Sequence, residues 1–145
     1  MNRKSTPRIL VVDDDPDTIT ILSRYLQREG FVAIEAPSGA DCLRIVQESS
    51  VDVILLDLMM PEMDGFQVCQ ELKSDSKTAE IPIILITARD DIEARAEGIR
   101  LGASEFLTKP FSRRQLVARI NSQLNLLEAA RTTKAVLSRL GRDQT

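Results

Sequence analysis

Hydrophobic residues along this chain fall into two alternating patterns. Short continuous apolar runs occur at RILVV (8–12), FVAIE (31–35), VDVILLD (51–57), IPIILIT (81–87) and SEFLTK (104–109). Runs of this length, rich in Ile, Val and Leu and not strictly alternating, predict strands buried on both faces, as in a parallel sheet. Between them the apolar positions take helical spacing. Ile19, Leu22, Tyr25 and Leu26 share one face, as do Cys42, Leu43 and Val46, and then Phe66, Val68, Cys69 and Leu72. Ile92, Ala96 and Ile99 predict a shorter fourth helix closed by Gly102. Leu116, Val117, Ile120, Leu124 and Leu127 predict a fifth, starting near Ser112.

Helix punctuation agrees with this reading. Asp15 before Pro16 reads as an N-cap followed by a first helical residue, where proline loses no needed hydrogen bond. Gly30 stands where the first helix ends, and Gly39 and Gly65 lie near the starts of the next two. Five strand-then-helix units with right-handed crossovers predict an α/β fold: a doubly wound, five-stranded parallel sheet with helices on both faces. Five such units most often take the order 2-1-3-4-5.

The fifth helix has room to run on. From Phe111 to Leu140 there is no Gly or Pro, and Gly141 then offers a C-terminal stop. Val117, Ile120, Leu124 and Leu127 keep coiled-coil spacing. Ala130, Leu137 and Leu140 continue it only after a slip of one residue, with Arg131 and Lys134 on the original seam, so a linker helix and a dimerising helix both fit. The expected organisation is a tail over 1–6, a domain over 7–127 and a helical extension or linker over 128–145.

Composition narrows the chemistry. Apolar residues at 43% and charged residues at 28% suit a globular domain. A net charge of −3 gives no support to phosphate contacts, so direct nucleic-acid binding is not expected. With no histidine in the chain, imidazole catalysis and histidine metal ligands drop out. Two cysteines, Cys42 and Cys69, are too few for a disulfide framework and suit a reducing, cytoplasmic location as small packing residues. The apolar run near the N-terminus is too short for a signal peptide or membrane span, and no membrane contact is expected.

Functional side chains in such sheets gather at the carboxyl ends of the strands. Those ends carry Asp13 and Asp14, then Asp57, then Thr87, then Lys109, each closing an apolar run. Converging carboxylates repel one another unless a cation lies among them, and Mg²⁺ (or Mn²⁺) is the hard, oxygen-seeking ion that fits. Acids, metal, lysine and hydroxyl together form a site for a phosphoryl group.

RILVVDDDP, VILLDLMMPEMDG, IPIILITA and FLTKPF, in this order and spacing, resemble the four motifs of the receiver domain of two-component response regulators. The resemblance covers about residues 7–127 and implies a flavodoxin-like fold. It implies that Asp57 accepts a phosphoryl group from a phosphohistidine, and that Asp13, Asp14, Asp57 and the backbone carbonyl of Met59 hold the metal. Thr87 then matches the hydroxyl that follows the phosphoryl oxygen, and Lys109 the lysine that pairs with it. Pro110 matches a proline whose bond to Lys109 is usually cis, and Phe106 the aromatic that turns inward on phosphorylation. Met59 and Arg89 occupy the positions that tune the lifetime of the acyl phosphate. Neither orients an attacking water, so slow decay is expected.

Partners follow from the same resemblance: a sensor histidine kinase or phosphotransfer protein upstream, and a downstream protein target or fused output domain. Self-association is expected on the face of the fourth helix, fifth strand and fifth helix, or along the C-terminal helix. No enzyme activity is expected beyond self-catalysed phosphoryl transfer and slow autodephosphorylation. The stretch FQVCQELKSDSKTAEIPIILITA also resembles receivers joined to diguanylate cyclases, which keeps a fused catalytic output open. Other readings of the acidic run fit less well. An EF-hand needs Gly and Glu where Thr18 and Arg24 stand. A haloacid-dehalogenase-type phosphatase would use Asp13 as nucleophile, but Pro16 and Asp17 depart from its motif and there is no room for its cap.

Overall fold

The computed structural model describes residues 5–88 and 91–143. Five strands alternate with five helices: β1 (Arg8–Val12), α1 (Pro16–Arg28), β2 (Val32–Ala36), α2 (Gly39–Glu48), β3 (Val53–Asp57), α3 (Gly65–Ser74), β4 (Ile83–Thr87), α4 (Ile92–Arg100), β5 (Glu105–Thr108) and α5 (Arg113–Asp143). All strand pairs are parallel, in the order β2-β1-β3-β4-β5. The expected α/β architecture and strand order are both observed. β3 and β4 begin two residues later than the apolar runs suggest, with Val51–Asp52 and Ile81–Pro82 in the approaches. β5 ends at Thr108, leaving Lys109 just beyond it.

Alternate side chains of each strand divide the core into two layers. Leu10, Ile54, Leu56 and Leu85 pack with α2, α3 and α4 through Cys42, Val46, Val68, Leu72 and Ala94. Ile9, Val11, Leu55 and Ile84 pack on the other face with α1 and α5 through Leu22, Leu26, Leu116, Ile120 and Leu124. Both cysteines are buried, and burial pushes each thiol up to about 12, so neither is reactive at neutral pH.

The helix starts are built locally. Asp15 caps α1 by accepting from Asp17 N, Ser38 caps α2, and Asp91 caps α4 by accepting from Ala94 N at 2.7 Å. Asp64 and Gln67 form a reciprocal capping box at α3, and Ser112 and Gln115 do the same ahead of α5.

Two helices depart from expectation. On α4 the buried residues are Ala94 and Gly98, whereas Ile92 and Ile99 are 86% and 71% exposed and Ala96 is exposed as well. Two small residues let the helix approach the sheet closely, which turns the β-branched residues outward. On α5, Gly141 does not stop the helix, which continues to Asp143. Gly141 lacks the positive φ of a left-handed cap, which Gly30 (86°) and Gly102 (101°) do adopt after α1 and α4.

The spacing of Leu116, Ile120 and Leu124 reflects docking on the protein's own sheet rather than a coiled-coil seam. Beyond Glu128 every side chain through Gly141 is exposed, Leu137 and Leu140 among them. At 31 residues, α5 is about 46 Å long at ~1.5 Å per residue. No helix among the described residues is long and apolar enough to cross a membrane.

Candidate functional site

The carboxyl edge of the sheet brings acidic, basic and hydroxyl groups together. Asp13 follows directly on β1, where its backbone N–H donates to Ala36 O at 3.2 Å and so keeps strand geometry one residue further. Its Oδ1 accepts from Asp15 N at 2.9 Å, folding the DDD run into a turn that leaves Asp14 exposed beside it. Asp57 is the last residue of β3, the central strand, and is buried. Carboxylate oxygens of Asp13, Asp14 and Asp57 lie within 4.8 Å of one another. This donor set suits a divalent cation, since three hard oxygens from three carboxylates concentrate negative charge where it needs compensation.

Lys109 reaches over the same cluster. Its Nζ lies 3.6 Å from Asp57 Oδ1 and 3.8 Å from Asp13 Oδ2. Its backbone N–H donates to Thr87 O at 2.8 Å, which ties the start of the β5–α5 loop to the end of β4, and the Lys109–Pro110 bond is cis. Thr87 closes β4 and is buried. Met59 stands two residues past Asp57 with its side chain 61% exposed.

Electrostatics mark Asp57 as the strained member. Burial chiefly, with the neighbouring Asp13 charge added, pushes its carboxyl up to about 6, while Lys109 and the Met59 backbone N–H pull the other way. Burial likewise raises Asp13, against the Asp15 backbone N–H and Lys109. Two neighbouring carboxylates whose ionisation is opposed favour a cation that relieves both.

Phe106 lies apart from this cluster, in the core layer under α4 and only 8% exposed. Its ring also lines a surface groove with Arg95, Ile99 and Arg119. The guanidinium of Arg95 lies over the ring, 5.4 Å from its centroid. Arg95 and the interior Gly98 beside the ring carry no apolar periodicity that marks them in the sequence. A glycine inside a helical pattern was the available signal. Arg89 lies outside the described residues.

Comparison with known proteins bears on this arrangement. A family model described as the response regulator receiver domain matches residues 9–121. The probable transcriptional regulator ycf27 of Guillardia theta is 39% identical over 131 residues, which is 90% of this chain and 48% of that protein. The DNA-binding dual master transcriptional regulator RpaA of Synechocystis sp. is 39% identical over 118 residues, 81% of this chain and 49% of that protein. The chain spans about half the length of these curated relatives. Because one of them is named as DNA-binding, the expectation of no nucleic-acid contact gains no support.

Among solved structures, the chemotaxis protein CheY4 of Vibrio cholerae is similar at a TM-score of 0.80 and 30% identity, covering 83% of this chain and 100% of that one. A receiver domain protein of Methanospirillum hungatei shares the fold at a TM-score of 0.82 and 24% identity, over 87% and 99% of the two chains. With four sequence motifs at four strand ends, this sheet order and a family match over most of its length, the chain belongs to the receiver domains of two-component response regulators.

Proposed function

We propose that Asp57 is the phosphoacceptor of this receiver and that Asp13 and Asp14 hold the metal with it, Met59 adding its backbone carbonyl. The observation that carries the reading is the cluster itself: three carboxylates within 4.8 Å, with Lys109 Nζ at 3.6 Å from the one that ends the central strand. Asp57 Oδ attacks phosphorus, an O–P bond forms, and the P–N bond to the donor imidazole breaks with its electron pair going to that nitrogen. Lys109 supplies positive charge opposite the incoming phosphoryl oxygens, and the Thr87 hydroxyl donates to one of them. A bound Mg²⁺ neutralises charge on the phosphoryl group. Burial keeps water from competing at Asp57. The donor is a histidine kinase or a phosphotransfer protein, the partner class a receiver implies.

We take the receiver unit as 7–127 and the extension over 128–145, helical as far as Asp143, as its linker to the output. The names of the relatives favour gene control over a cyclase as that output. Nucleic-acid contacts would then come from outside this acidic domain. Self-association uses the α4–β5–α5 face or the extension.

The test is incubation with a small-molecule phosphodonor and Mg²⁺, with intact mass and peptide mapping of the modified residue. One phosphoryl group on Asp57 supports the reading; label on Asp13 instead would favour the phosphatase alternative.

Two variants probe the parts. Asp14→Ala removes the exposed carboxylate of the cluster and is expected to weaken Mg²⁺ binding at least tenfold, while leaving the fold intact. An unchanged metal titration would remove Asp14 from the ligand set. Met59→Asn puts an amide able to orient water where an exposed thioether now stands, and is expected to speed loss of the phosphoryl group several-fold. A decay rate equal to the native one would show that this position does not control water access.

A further inference from the structure

Two apolar stripes run along α5, and the protein's own sheet covers only one of them. Leu116, Ile120 and Leu124 are buried in the layer that α1 and α5 share. Leu126, Leu137 and Leu140 are instead 61%, 62% and 51% exposed. At about 100° per residue, this second stripe stands roughly a third of a turn round the helix from the first. The docked stripe continues past the sheet as Arg131 and Lys134, which line a cavity of about 340 Å³ together with Asp52 and Glu80 from the approaches to β3 and β4. The basic side of the extension therefore lies toward its own receiver. The apolar side is left for something else.

That side has the spacing a second helix needs. Leu126, Ala130, Thr133, Leu137 and Leu140 follow one another at intervals of four, three, four and three residues, the alternation of a coiled-coil seam. Ala129 and the half-exposed Val136 flank the seam on one edge and Lys134 on the other, while Arg131 and Arg139 lie off it. We propose that this stripe pairs with the same stripe of a second copy, the two helices running parallel and in register. Two-fold symmetry then sets Leu137 on Leu137 and Leu140 on Leu140, with the small Ala130 and Thr133 allowing close approach. No charge on the seam selects a different partner, whereas its spacing complements itself. Charge placement also selects the direction. In a parallel pair each Lys134 stands across from Ala129 of the second copy, so no cation meets another. An antiparallel pair centred on Thr133 would bring the two Lys134 side chains together. The pairing rests on the self-association reading and narrows it to the extension. A seam of about two heptads is short, so the dimer forms only at high protein concentration.

Sedimentation equilibrium of the whole chain, from micromolar to millimolar concentration, measures the pairing. The native protein should move from monomer toward dimer across that range. Leu137→Glu, which puts a charge from each copy on the seam, should weaken association at least tenfold. Arg139→Glu, off the seam, should leave it unchanged. Direction is read from disulfide formation in oxidised glutathione. Cys42 and Cys69 are buried, so Ala130→Cys introduces an accessible thiol that should link two copies. Ala135→Cys, on the opposite side of the helix, should not. If far-UV dichroism shows Leu137→Glu unfolded, the two cysteine variants decide. A native chain still monomeric at millimolar concentration would overturn the pairing and the self-association reading with it. A dimer that Leu137→Glu leaves intact would overturn the seam alone and put association on the α4–β5–α5 face. Equal linking through Ala130→Cys and Ala135→Cys would overturn the parallel register. Phosphodonor is absent throughout, so no outcome depends on Asp57.

Discussion

Asp57→Asn is expected to abolish covalent phosphorylation and, in metal-free buffer at neutral pH, to make the protein more stable than the native chain. The first effect follows from chemistry, since a carboxamide oxygen is a poor nucleophile and its phosphoryl adduct would need the amide to lose conjugation. The change is close to isosteric, so the packing of β3 between its neighbours is kept. The second effect follows from the environment of the carboxylate.

Burial and Asp13 raise Asp57 to about 6, above the ordinary aspartate value of about 3.9. A carboxyl raised on folding adds stability only while protonated. That contribution is full below about pH 4 and is lost as pH rises through about 6. By pH 7 the native protein carries the ionised group at a cost of up to roughly 3 kcal/mol relative to its protonated form. An asparagine carries no such cost, although Lys109 loses a partner at 3.6 Å. The stability difference between variant and native protein should therefore grow between pH 4 and pH 7 and level off above. Denaturant melts across that range, with chelator present, measure it. A difference that stays flat with pH would mean that Asp57 is not held against its surroundings. A phosphoryl group still acquired by the variant would move the acceptor elsewhere.

Much of this was legible in the residues. Each strand end announces itself as an apolar run closed by a polar residue, so the positions of Asp13, Asp57, Thr87 and Lys109 along one edge followed from the α/β pattern before any contact was known. Helices with large apolar faces were legible for the same reason. The buried face of the fourth helix was not. Its buried face is Ala94 and Gly98, residues with little hydrophobic signal, and the isoleucines that set its apparent periodicity point to solvent.

The cause is Phe106, a large side chain from a strand that fills the gap and makes small residues the right ones on the helix above it. Packing of this kind pairs residues from separate elements, and no local pattern records it. The Glu105 contacts with Arg119 and Gln123, which anchor α5 to β5, were hidden for the same reason. Gly141 misled in the opposite direction. A glycine ends a helix where the chain turns into the left-handed region, and the exposed Gly141 makes no such turn.

Gly65→Ala is expected to be among the most damaging single-methyl changes in the chain, and to harm the site as well as the fold. Gly65 opens α3 directly behind β3, with its N–H donating to Leu58 O at 2.9 Å. A Cβ at this position would stand 2.8 Å from the backbone oxygen of Asp57 and 2.8 Å from Leu58 Cα. Neither contact is with a flexible side chain. Relief requires that α3 back away from β3 or that the Asp57–Leu58 backbone shift, and the second response moves the carboxylate relative to Asp13 and Lys109. Overpacking against backbone belongs at the upper end of the usual range of roughly 1–3 kcal/mol, far beyond any gain in helix propensity from replacing glycine. Gly141→Ala is the control for that gain. Nothing lies within 4 Å of a Cβ there, and α5 passes through the position as ordinary helix, so the variant should be neutral or slightly more helical. Thermal melts and far-UV dichroism of the two variants separate steric from propensity effects, and phosphorylation rates show whether the strain reaches Asp57. Should Gly65→Ala match the native protein in both stability and rate, the close approach of α3 to β3 would not be a constraint on the site.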